Sequence, residues 1–348
     1  MKKLKDFEKE INKCSKCGLC QGVCPVFQAT GNECAVSKGK FIMLQGVLKG
    51  DLKLSSKINS YLDLCLKCDK CSKFCPAGID VCEILQTAKY EYISTRPSFK
   101  ILQCFHNIFD RIVRLVKPLR RKSSGAREIL YFKGCVNEVY PSTENALKKL
   151  LNKVGIRLVN VGFSCCGLPF FSAGNLEKFE EVKARNTELI NSSPSEFVLT
   201  DCASCENTLK RYGTVNKKFI NAETLITELG LNFEFNKVQK VTFHQPCHLE
   251  NADFLPKLLE KCKNVEFTPI PEGCCGLAGE FVFKKPQISN ELARKKAHEI
   301  KKSGAKIVLT SCPACVIGLK KALWGTNIKV LNIIDFLSRA DKIKTTHS

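Results

Sequence analysis

The sequence contains no hydrophobic run long enough to cross a membrane, because none of its apolar stretches approaches the ~18 residues that a spanning helix needs. Its N-terminal residues, MKKLKDFEKEINK, are highly charged, and no apolar segment of the kind found in secretory signals follows them. We therefore expect a cytoplasmic protein. Because 44% of the 348 residues are hydrophobic, we also expect folded domains with sizeable cores.

Acidic residues are few relative to basic ones: 34 Asp and Glu accompany 55 Lys and Arg, which gives a formal net charge of +21. Lys outnumbers Arg and the positive charge is spread along the chain, which is typical of a solvated surface rather than of a nucleic-acid site. We expect no nucleic-acid partner. An anionic membrane surface or an acidic partner subunit would suit the same charge.

Recognisable catalytic motifs are also missing. No G-x-G-x-x-G sequence follows a predicted strand, so we predict no flavin or nicotinamide site of the dinucleotide-binding type. The sequence shows no charge relay, no carboxylate pair and no phosphate loop. Two-electron chemistry on a substrate is therefore expected on another chain or at the cysteine sites described next.

Cysteine, by contrast, occurs 22 times. Thiols stay reduced in the cytoplasm, so this number indicates metal sites rather than disulfides. Two runs share the C-x2-C-x2-C-x3-C-P spacing of bacterial 4Fe-4S sites. They comprise Cys14, Cys17, Cys20 and Cys24 before Pro25, and Cys65, Cys68, Cys71 and Cys75 before Pro76.

In this spacing the first three cysteines of a run hold three corners of one cubane cluster, and the fourth reaches the other cluster. We therefore predict two [4Fe-4S] clusters, which exchange single electrons and indicate a relay rather than a catalyst. The predicted ligands of cluster 1 are Cys14, Cys17, Cys20 and Cys75, and those of cluster 2 are Cys65, Cys68, Cys71 and Cys24. Two zinc sites of four cysteines each are the alternative, which the tight series and the following proline disfavour.

The segment between the two runs has apolar residues at mostly helical spacing, so residues 1–95 are predicted to form a helical domain with two ferredoxin-type clusters. Residues 96–127 are predicted to form a basic amphipathic helix and a linker. This helix would suit either docking to a membrane surface or a partner, or packing on its own domain. Its predicted apolar stripe comprises Phe99, Leu102, Phe105, Phe109, Ile112, Val113 and Val116, with Arg111, Arg114 and Arg120 elsewhere.

From residue 128 onward the chain repeats itself: REILYFKGC corresponds to KVTFHQPC, FSCCGLPF to EGCCGLAG, and FVLTDCASC to IVLTSCPAC. Each copy, residues 128–235 and 236–348, alternates short apolar runs with helical patterns, which predicts βαβ units around a parallel sheet. The cysteines follow strand ends, where open α/β sheets bind their ligands. The predicted fold class is α+β multidomain, with a helical ferredoxin-like domain followed by two duplicated α/β domains.

Each copy carries five cysteines: Cys135, Cys165, Cys166, Cys202 and Cys205 in the first, and Cys247, Cys274, Cys275, Cys312 and Cys315 in the second. Five is more than an ordinary cubane cluster needs. Adjacent cysteines, whose Cα atoms are ~3.8 Å apart, ligate neighbouring irons more readily than one ion, which indicates an unusual cluster. Gly167 and Gly276 follow the pairs, as expected where the backbone turns sharply or approaches a cofactor. Zinc and a vicinal disulfide are the alternatives.

The motifs CCGLPF, CCGLAGEFVFKK, HQPCHLE, TDCASC and TSCPAC resemble the cysteine-rich CCG domain. That domain occurs twice in iron-sulfur subunits of heterodisulfide reductase, of bacterial glycolate oxidase and of anaerobic glycerol-3-phosphate dehydrogenase. The resemblance implies one or two further iron-sulfur clusters in the CCG domains, of the noncubane [4Fe-4S] type. It also implies an FAD-containing dehydrogenase subunit as partner, a membrane quinone-reducing partner, and a peripheral position on the cytoplasmic face of the inner membrane.

Three functions follow as hypotheses. The first is an electron-transfer subunit for a flavin-dependent dehydrogenase that oxidises glycolate, lactate or glycerol 3-phosphate. The second is a heterodisulfide reductase-like catalytic subunit that cleaves a disulfide at a noncubane cluster, which the ten complete cysteine positions favour. The third is a zinc-binding nucleic-acid or scaffold protein, which only the net charge favours.

Some residues near the motifs are assigned no role in the chemistry. His244 and His248 flank Cys247 and suit either a hydrogen bond to a cluster sulfur or a structural position. Asp201, beside Cys202, is a candidate cap for the following helix. Four cysteines outside every motif are interpreted as small buried apolar side chains, namely Cys34, Cys82, Cys104 and Cys262.

Overall fold

The computed structural model describes residues 2–115, 127–139, 141–163 and 165–345. The chain divides into two compact units. The first contains residues 1–107, 169–180 and 273–295, and the second contains residues 108–168, 181–272 and 296–348. Among the helices described, none combines the length and the hydropathy that a bilayer-spanning segment requires.

The N-terminal part is helical, as the sequence predicts. Residues 2–115 fold into helices and turns, and no strand occurs in this described range. The helices are α1 (Glu8–Asn12), α2 (Leu19–Val23), α3 (Pro25–Thr30), α4 (Ser37–Lys49), α5 (Ser56–Leu62), α6 (Lys70–Lys73), α7 (Val81–Ser94) and α8 (Pro97–Leu115), with 3-10 turns at Leu4–Phe7 and Glu33–Ala35.

Local signals explain where several of these helices begin. Pro25 occupies the first turn of α3, where its missing N–H costs no hydrogen bond. The Ser55 hydroxyl caps α5 by accepting from the Ile58 N–H, and the Asp80 carboxylate caps α7 by accepting from the Glu83 N–H at 3.0 Å. The cysteine runs therefore lie between helices whose ends are fixed by the sequence itself.

Two apolar clusters hold the first unit together. One gathers buried side chains of α1, α4, α5 and α7, and partly buried Cys14, Cys65, Cys71 and Cys75 border it. The other contains Val26, Leu66, Cys274 and Phe281, with Cys24 and Cys68 at its edge. Removing this apolar surface from water supplies the main stabilisation and leaves six of the eight cysteines of the two runs beside packed apolar side chains, whereas Cys17 is exposed.

The second unit contains two sheets built by the same rule. The first has strand order β2-β1-β3-β4 and is parallel throughout. Its strands are β1 (Arg127–Tyr131), β2 (Ile156–Val159), β3 (Phe197–Thr200) and β4 (Lys218–Asn221). The helices along this stretch of chain are α9 (Cys135–Val139), α10 (Ser142–Asn152), α11 (Leu168–Ala173), α12 (Leu176–Asn191), α13 (Ala203–Lys210) and α14 (Ala222–Glu228).

The second sheet repeats this order as β6-β5-β7-β8, again parallel, and an antiparallel strand β9 is added beside β5. Its strands are β5 (Leu231–Phe243), β6 (Cys262–Phe267), β7 (Ile307–Thr310), β8 (Lys329–Asn332) and β9 (Lys342–Thr345). The helices are α15 (Phe254–Glu260), α16 (Phe281–Lys284), α17 (Pro286–Lys302), α18 (Pro313–Ala322) and α19 (Ile333–Leu337). The equal strand order confirms the duplicated α/β fold.

One apolar core serves both sheets. Leu147 and Leu150 of α10 and Ile226 of α14 belong to the same cluster of buried side chains as Phe243 of β5 and Ile334 of α19. Burial of these side chains contributes about 1.5–3 kcal/mol each. The two sheets therefore share one core within the second unit, which fixes the positions of their strand ends.

The candidate iron-sulfur centres

The two N-terminal cysteine runs share one backbone path. In each run, the residue before the second cysteine and the residue after it have positive φ: Lys16 at 61° and Gly18 at 85°, and Lys67 at 56° and Asp69 at 62°. This conformation is unfavourable for side chains other than glycine, so its recurrence at matching positions indicates a constraint shared by both loops. Such strain is typical of loops that clamp a ligand.

The second run lies close to the fourth cysteine of the first. Burial raises the pKa of the Cys68 thiol to about 12, and the neighbouring Cys65 and Cys24 thiols add to the increase. Burial also raises the pKa of the Cys24 thiol, and the nearby Cys65 thiol raises it further. The structure therefore gathers Cys24, Cys65, Cys68 and Cys71 into one group. The sequence predicts this proximity, because Cys24, the fourth cysteine of the first run, is expected to reach the cluster held by the second run. Which cysteines ligate which cluster stays a prediction.

No sequence motif connects Cys82 with this group. The Cys82 side chain is buried in α7, and its hydrogen bond to Cys65 is the main factor that lowers the pKa of the Cys65 thiol. The other cysteines outside the motifs differ from the expected buried positions: Cys104 is exposed, and Cys34 and Cys262 are half-buried. The expectation of burial was therefore wrong for Cys104.

A buried lysine beside the same group is a second feature that the sequence did not indicate. Lys40 of α4 is 1% exposed and donates hydrogen bonds to the carbonyl oxygens of Ala35 and, at 2.9 Å, Leu64. Its positive charge acts on the thiols of Cys24 and Cys65 and favours their thiolate forms. Lys40 thus supplies positive charge where thiolates would be needed to bind iron.

The first five-cysteine set lies wholly in the second unit, beyond the carboxyl ends of the strands. Cys135 begins α9 after β1, Cys165 and Cys166 follow β2, and Cys202 and Cys205 lie at the start of α13 after β3. The Cys165 and Cys135 sulfurs are 3.7 Å apart, and Cys166 is hydrogen-bonded to both Cys165 and Cys205. The five thiols form one group, as the sequence predicts for a shared site.

The backbone around this group is held by buried polar side chains. The Asn186 amide donates to the Cys165 carbonyl oxygen at 2.8 Å and to the Tyr212 hydroxyl at 3.0 Å. Tyr212 donates to the Cys166 carbonyl oxygen at 2.9 Å. At Gly134, where φ is 73°, an added Cβ would lie 2.9 Å from the Cys205 sulfur. These contacts fix the loop and leave no room for a larger residue beside the thiols.

The two Cys-Cys-Gly motifs have the same local geometry. The Gly167 N–H donates to the Cys165 sulfur at 3.4 Å, and the Gly276 N–H donates to the Cys274 sulfur at 3.3 Å. The φ angles of the two glycines are 84° and 85°. Glycine suits these positions because it adopts a positive φ without strain. In this conformation its N–H reaches a thiol sulfur, where it can tune the reduction potential of a bound cluster.

The second five-cysteine set is divided between the units. Cys274 and Cys275 belong to the first unit, where an added Cβ at Gly276 would lie 2.7 Å from the Ala293 Cβ. The other three, Cys247, Cys312 and Cys315, belong to the second unit. There Cys312 is hydrogen-bonded to Cys315 and also to Cys202 of the first set. A continuous series of thiols therefore connects the two copies.

The histidines and Asp201 have definite positions. The His248 ring nitrogen Nδ1 lies 2.9 Å from the Ser204 hydroxyl oxygen, and that oxygen lies 3.5 Å from the Cys312 sulfur. His244 is buried, with a ring nitrogen within 4.8 Å of the Cys315 sulfur. Asp201 does not cap α13. It accepts from the Tyr131 hydroxyl at 3.0 Å and the Asn137 amide at 2.7 Å, and burial raises its pKa to about 7.

The residues present fit iron-sulfur clusters. None of the 22 cysteines, all of which lie within the described residues, forms a disulfide. Most thiols of the five-cysteine sets are buried, and several lie within hydrogen-bonding distance of each other, as required for several sulfurs to ligate one cluster. Soft thiolate ligands in such number favour iron-sulfur clusters or zinc over hard cations such as magnesium. The vicinal disulfide considered from the sequence is absent from the described chain.

Comparison with known families identifies the domains. The cysteine-rich domain CCG matches residues 129–210 and 241–320, and the 4Fe-4S dicluster domain matches residues 10–79. A crystal structure of a hypothetical protein from Helicobacter pylori aligns with a TM-score of 0.55 at 11% identity, covering 97% of this chain and 76% of that one, which shows likeness of fold alone.

Several curated relatives are subunits of redox enzymes. The glycolate oxidase iron-sulfur subunit of Escherichia coli is 24% identical over 90% of each chain. One subunit of the dihydromethanophenazine:CoB–CoM heterodisulfide reductase from Methanosarcina barkeri is 24% identical, covering 97% of this chain and 95% of the relative. One subunit of the fumarate reductase (CoM/CoB) from Methanothermobacter marburgensis is 26% identical, covering 95% and 73%. The chain belongs to the family of iron-sulfur oxidoreductase subunits that combine a 4Fe-4S dicluster domain with two CCG cysteine-rich domains.

Proposed function

We propose that this chain is the electron-transfer subunit of a flavin-dependent dehydrogenase complex. In that complex a separate FAD-containing subunit oxidises a small 2-hydroxy acid, either glycolate or lactate, or glycerol 3-phosphate. The electrons pass towards membrane quinone on the cytoplasmic face of the inner membrane. The observation that carries the proposal is the match of the chain to a 4Fe-4S dicluster domain and two CCG domains, supported by the contacts among the thiols of the first five-cysteine set.

The relatives support the substrate class. The Escherichia coli and Bacillus subtilis relatives, at 24% and 21% identity, are a glycolate oxidase iron-sulfur subunit and a probable one. Lactate utilization protein A of Oceanobacillus iheyensis is 26% identical over 61% of this chain. Small 2-hydroxy acids are therefore the first substrates to test, and glycerol 3-phosphate follows from the resemblance of the CCGLAGEFVFKK motif.

The cofactors are proposed as two [4Fe-4S] clusters and one or two further clusters of the noncubane type. Cys14, Cys17, Cys20 and Cys75 would hold cluster 1, and Cys65, Cys68, Cys71 and Cys24 would hold cluster 2. The five-cysteine sets would hold the others. When bound, such clusters supply one-electron transfer. The protein contributes buried thiols, N–H donors at Gly167 and Gly276, and the positive charge of Lys40.

Reconstitution with a flavoprotein tests this proposal. The chain is purified without oxygen, mixed with the flavoprotein of its own gene neighbourhood, and assayed for reduction of a quinone analogue with glycolate, lactate or glycerol 3-phosphate. We expect turnover with one of these substrates only when both proteins are present. The Cys68→Ser variant should abolish quinone reduction, while the flavoprotein alone still reduces an artificial dye. Quinone reduction by the flavoprotein without this chain would refute the proposal.

A second candidate function rests on one specific contact. Cys202 and Cys312 come from different copies of the repeat and are hydrogen-bonded to each other, so the Cys-x2-Cys motifs of the two sets adjoin within the second unit. A disulfide has two sulfur atoms and would suit two adjacent metal sites, as expected for a catalytic subunit of the heterodisulfide reductase type. The test is disulfide reduction by the isolated chain with a reduced viologen dye. Activity that Cys312→Ser abolishes would favour this function over the first.

A further inference from the structure

Helix α8 has its apolar side chains on the outside. Ile101, Phe105, Ile108 and Ile112 are exposed to 61%, 67%, 50% and 57%, and Phe109 to 39%. These positions recur at intervals of three and four residues, so they share one face of the helix. The predicted stripe was therefore partly wrong: Phe99 is buried on the opposite side, and Ile101 and Ile108 join the exposed face. The Val113 side chain and Val116 lie outside the described part.

The inward face of α8 is instead fixed by polar contacts. Within the first unit, the Gln103 amide donates to the Glu177 carboxylate at 2.6 Å, and His106 Nδ1 lies 3.0 Å from the Asn175 amide nitrogen. Within the second unit, buried Asp110 is bonded to the Arg185 guanidinium at 3.2 Å. The helix cannot simply rotate its apolar face inward, since rotation would break these contacts and expose Asp110 without its partner.

The segment that contains α8 is strongly basic. Between residues 96 and 122 the sequence contains Arg96, Lys100, Arg111, Arg114, Lys117, Arg120, Arg121 and Lys122, and the one acidic residue is Asp110. The net charge of the segment is thus 8 − 1 = +7. Because Asp110 is buried against Arg185, it does not neutralise the surface. Lys100 and Arg111 are exposed and flank the apolar face on the same side.

We propose that the exposed face of α8, defined by Ile101, Phe105, Ile108, Phe109 and Ile112, binds the surface of an anionic lipid membrane with the helix axis parallel to that surface. A helix with an apolar face flanked by basic residues gains both acyl-chain burial and attraction to anionic headgroups. A second copy of the chain would cover the apolar side chains but would bring two strongly basic segments together. A neutral protein groove would leave the basic flank without counter-charge.

This surface goes beyond the electron-transfer role, and it is tested without substrate or flavoprotein, so the two proposals fail independently. The full chain, purified anaerobically with its clusters, is mixed with vesicles of phosphatidylcholine alone or with equal parts of phosphatidylglycerol. Bound protein is measured by flotation at low and at high salt. We expect binding to the anionic vesicles only, and weaker binding at high salt.

Two variants separate the apolar and basic contributions. Phe105→Gln combined with Ile108→Gln should weaken binding about tenfold or more, because two exposed apolar side chains no longer enter the bilayer interface. Lys100→Gln combined with Arg111→Gln should weaken binding roughly twentyfold at low salt. The matched controls are Trp324→Gln, which removes a side chain exposed to 89% elsewhere, and Lys301→Gln with Lys302→Gln. Both controls should bind as the unaltered chain does.

Three results would overturn the proposal. The first is equal binding to neutral and anionic vesicles. The second is unchanged vesicle binding after the α8 substitutions while the Trp324→Gln control also binds normally. The third combines two observations. The original chain binds no vesicles, and replacing Phe105 and Ile108 instead dissociates a dimer or a complex with a protein partner, as measured by sedimentation. All variants alter exposed side chains, and unchanged cluster absorbance verifies that they fold.

Discussion

The Ser204 hydroxyl oxygen and the Cys312 sulfur lie 3.5 Å apart, although they come from different copies of the duplicated half. The Ala203 N–H also donates to the Ser311 carbonyl oxygen at 3.0 Å, which brings the starts of α13 and α18 together. The Cys-x2-Cys motifs of the two copies are therefore neighbours.

Replacing Cys166 by Ser should remove iron from the first five-cysteine set and leave the two N-terminal clusters in place. Cys166 is hydrogen-bonded to Cys165 and Cys205, whereas the N-terminal runs lie in the other unit. Iron content and the electron paramagnetic resonance spectrum of the reduced protein measure this. Cys262→Ser, outside every motif, is the control and should keep all signals. Loss of every cluster signal from a folded Cys166→Ser protein would contradict separate sites.

Replacing Tyr212 by Phe should destabilise the loop that carries Cys165 and Cys166. The substitution removes the hydroxyl that donates to the Cys166 carbonyl oxygen and accepts from Asn186, and it leaves both buried groups without that partner. The expected cost is about 1–3 kcal/mol, seen as a lower midpoint of thermal unfolding. Tyr90→Phe removes a hydrogen bond to Glu177 at a more exposed position and should have a smaller effect. An equal loss in both variants would contradict the special position of Tyr212.

Replacing Lys40 by Met should lower the reduction potential of one N-terminal cluster. The variant keeps the length of the side chain but removes a buried positive charge near Cys24 and Cys65, and that charge favours the reduced, more negative form of a cluster. The shift should be on the order of tens of millivolts in a redox titration. Lys49→Met, at an exposed position of the same helix, is the control. A shift of the same size in the control would show that local burial of Lys40 has no special effect.

Replacing Glu280 by Gln should destabilise the first unit at neutral pH. Glu280 forms ion pairs with Lys89, Lys67 and Lys284, of which Lys89 is 1% exposed. Burial acts to raise the pKa of Glu280, but the three lysine charges outweigh it and hold the pKa below its ordinary value of 4.5. Removing the charge should cost about 3 kcal/mol in the free energy of unfolding.

The effect of Glu280→Gln should depend on pH. Because the folded-state pKa is lowered, the stabilisation by Glu280 is complete above the unfolded-state pKa near 4.5 and is lost as pH falls through the folded-state value. The difference in unfolding midpoint between the original chain and the variant should therefore shrink below about pH 4.5. Glu291→Gln, at an exposed site, should show no such trend. A difference that grows in acid would contradict the ion-pair explanation.

The fold was largely predictable because its signals are local. The C-x2-C-x2-C-x3-C-P spacing, the apolar runs FVLT and IVLT, and the repeated motifs each specify short segments, and the structure confirms helices around the first and parallel strands at the second. The position of Cys202 and Cys312 just after β3 and β7 followed from the same reasoning. What the sequence left open was the contact between these two cysteines, since it depends on how the copies pack.

The missed features all depend on contacts between distant parts of the chain. Cys82 lies 17 positions after Cys65 and carries no motif, and α7 brings it against that thiol. Lys40 resembles any other surface lysine in a basic sequence, yet it is buried and bonded to two carbonyl oxygens. The outward apolar face of α8 was misjudged because the inward partners of Gln103 and Asp110 are about 75 residues away.

Metal analysis of the protein purified without oxygen tests the central claim most directly. The two N-terminal clusters alone should give about eight iron and eight acid-labile sulfide per chain, and the five-cysteine sets should add more. The preparation should be brown, with an absorbance that bleaches on reduction. A colourless protein that contains zinc and no acid-labile sulfide would contradict the assignment of these cysteines to iron-sulfur clusters.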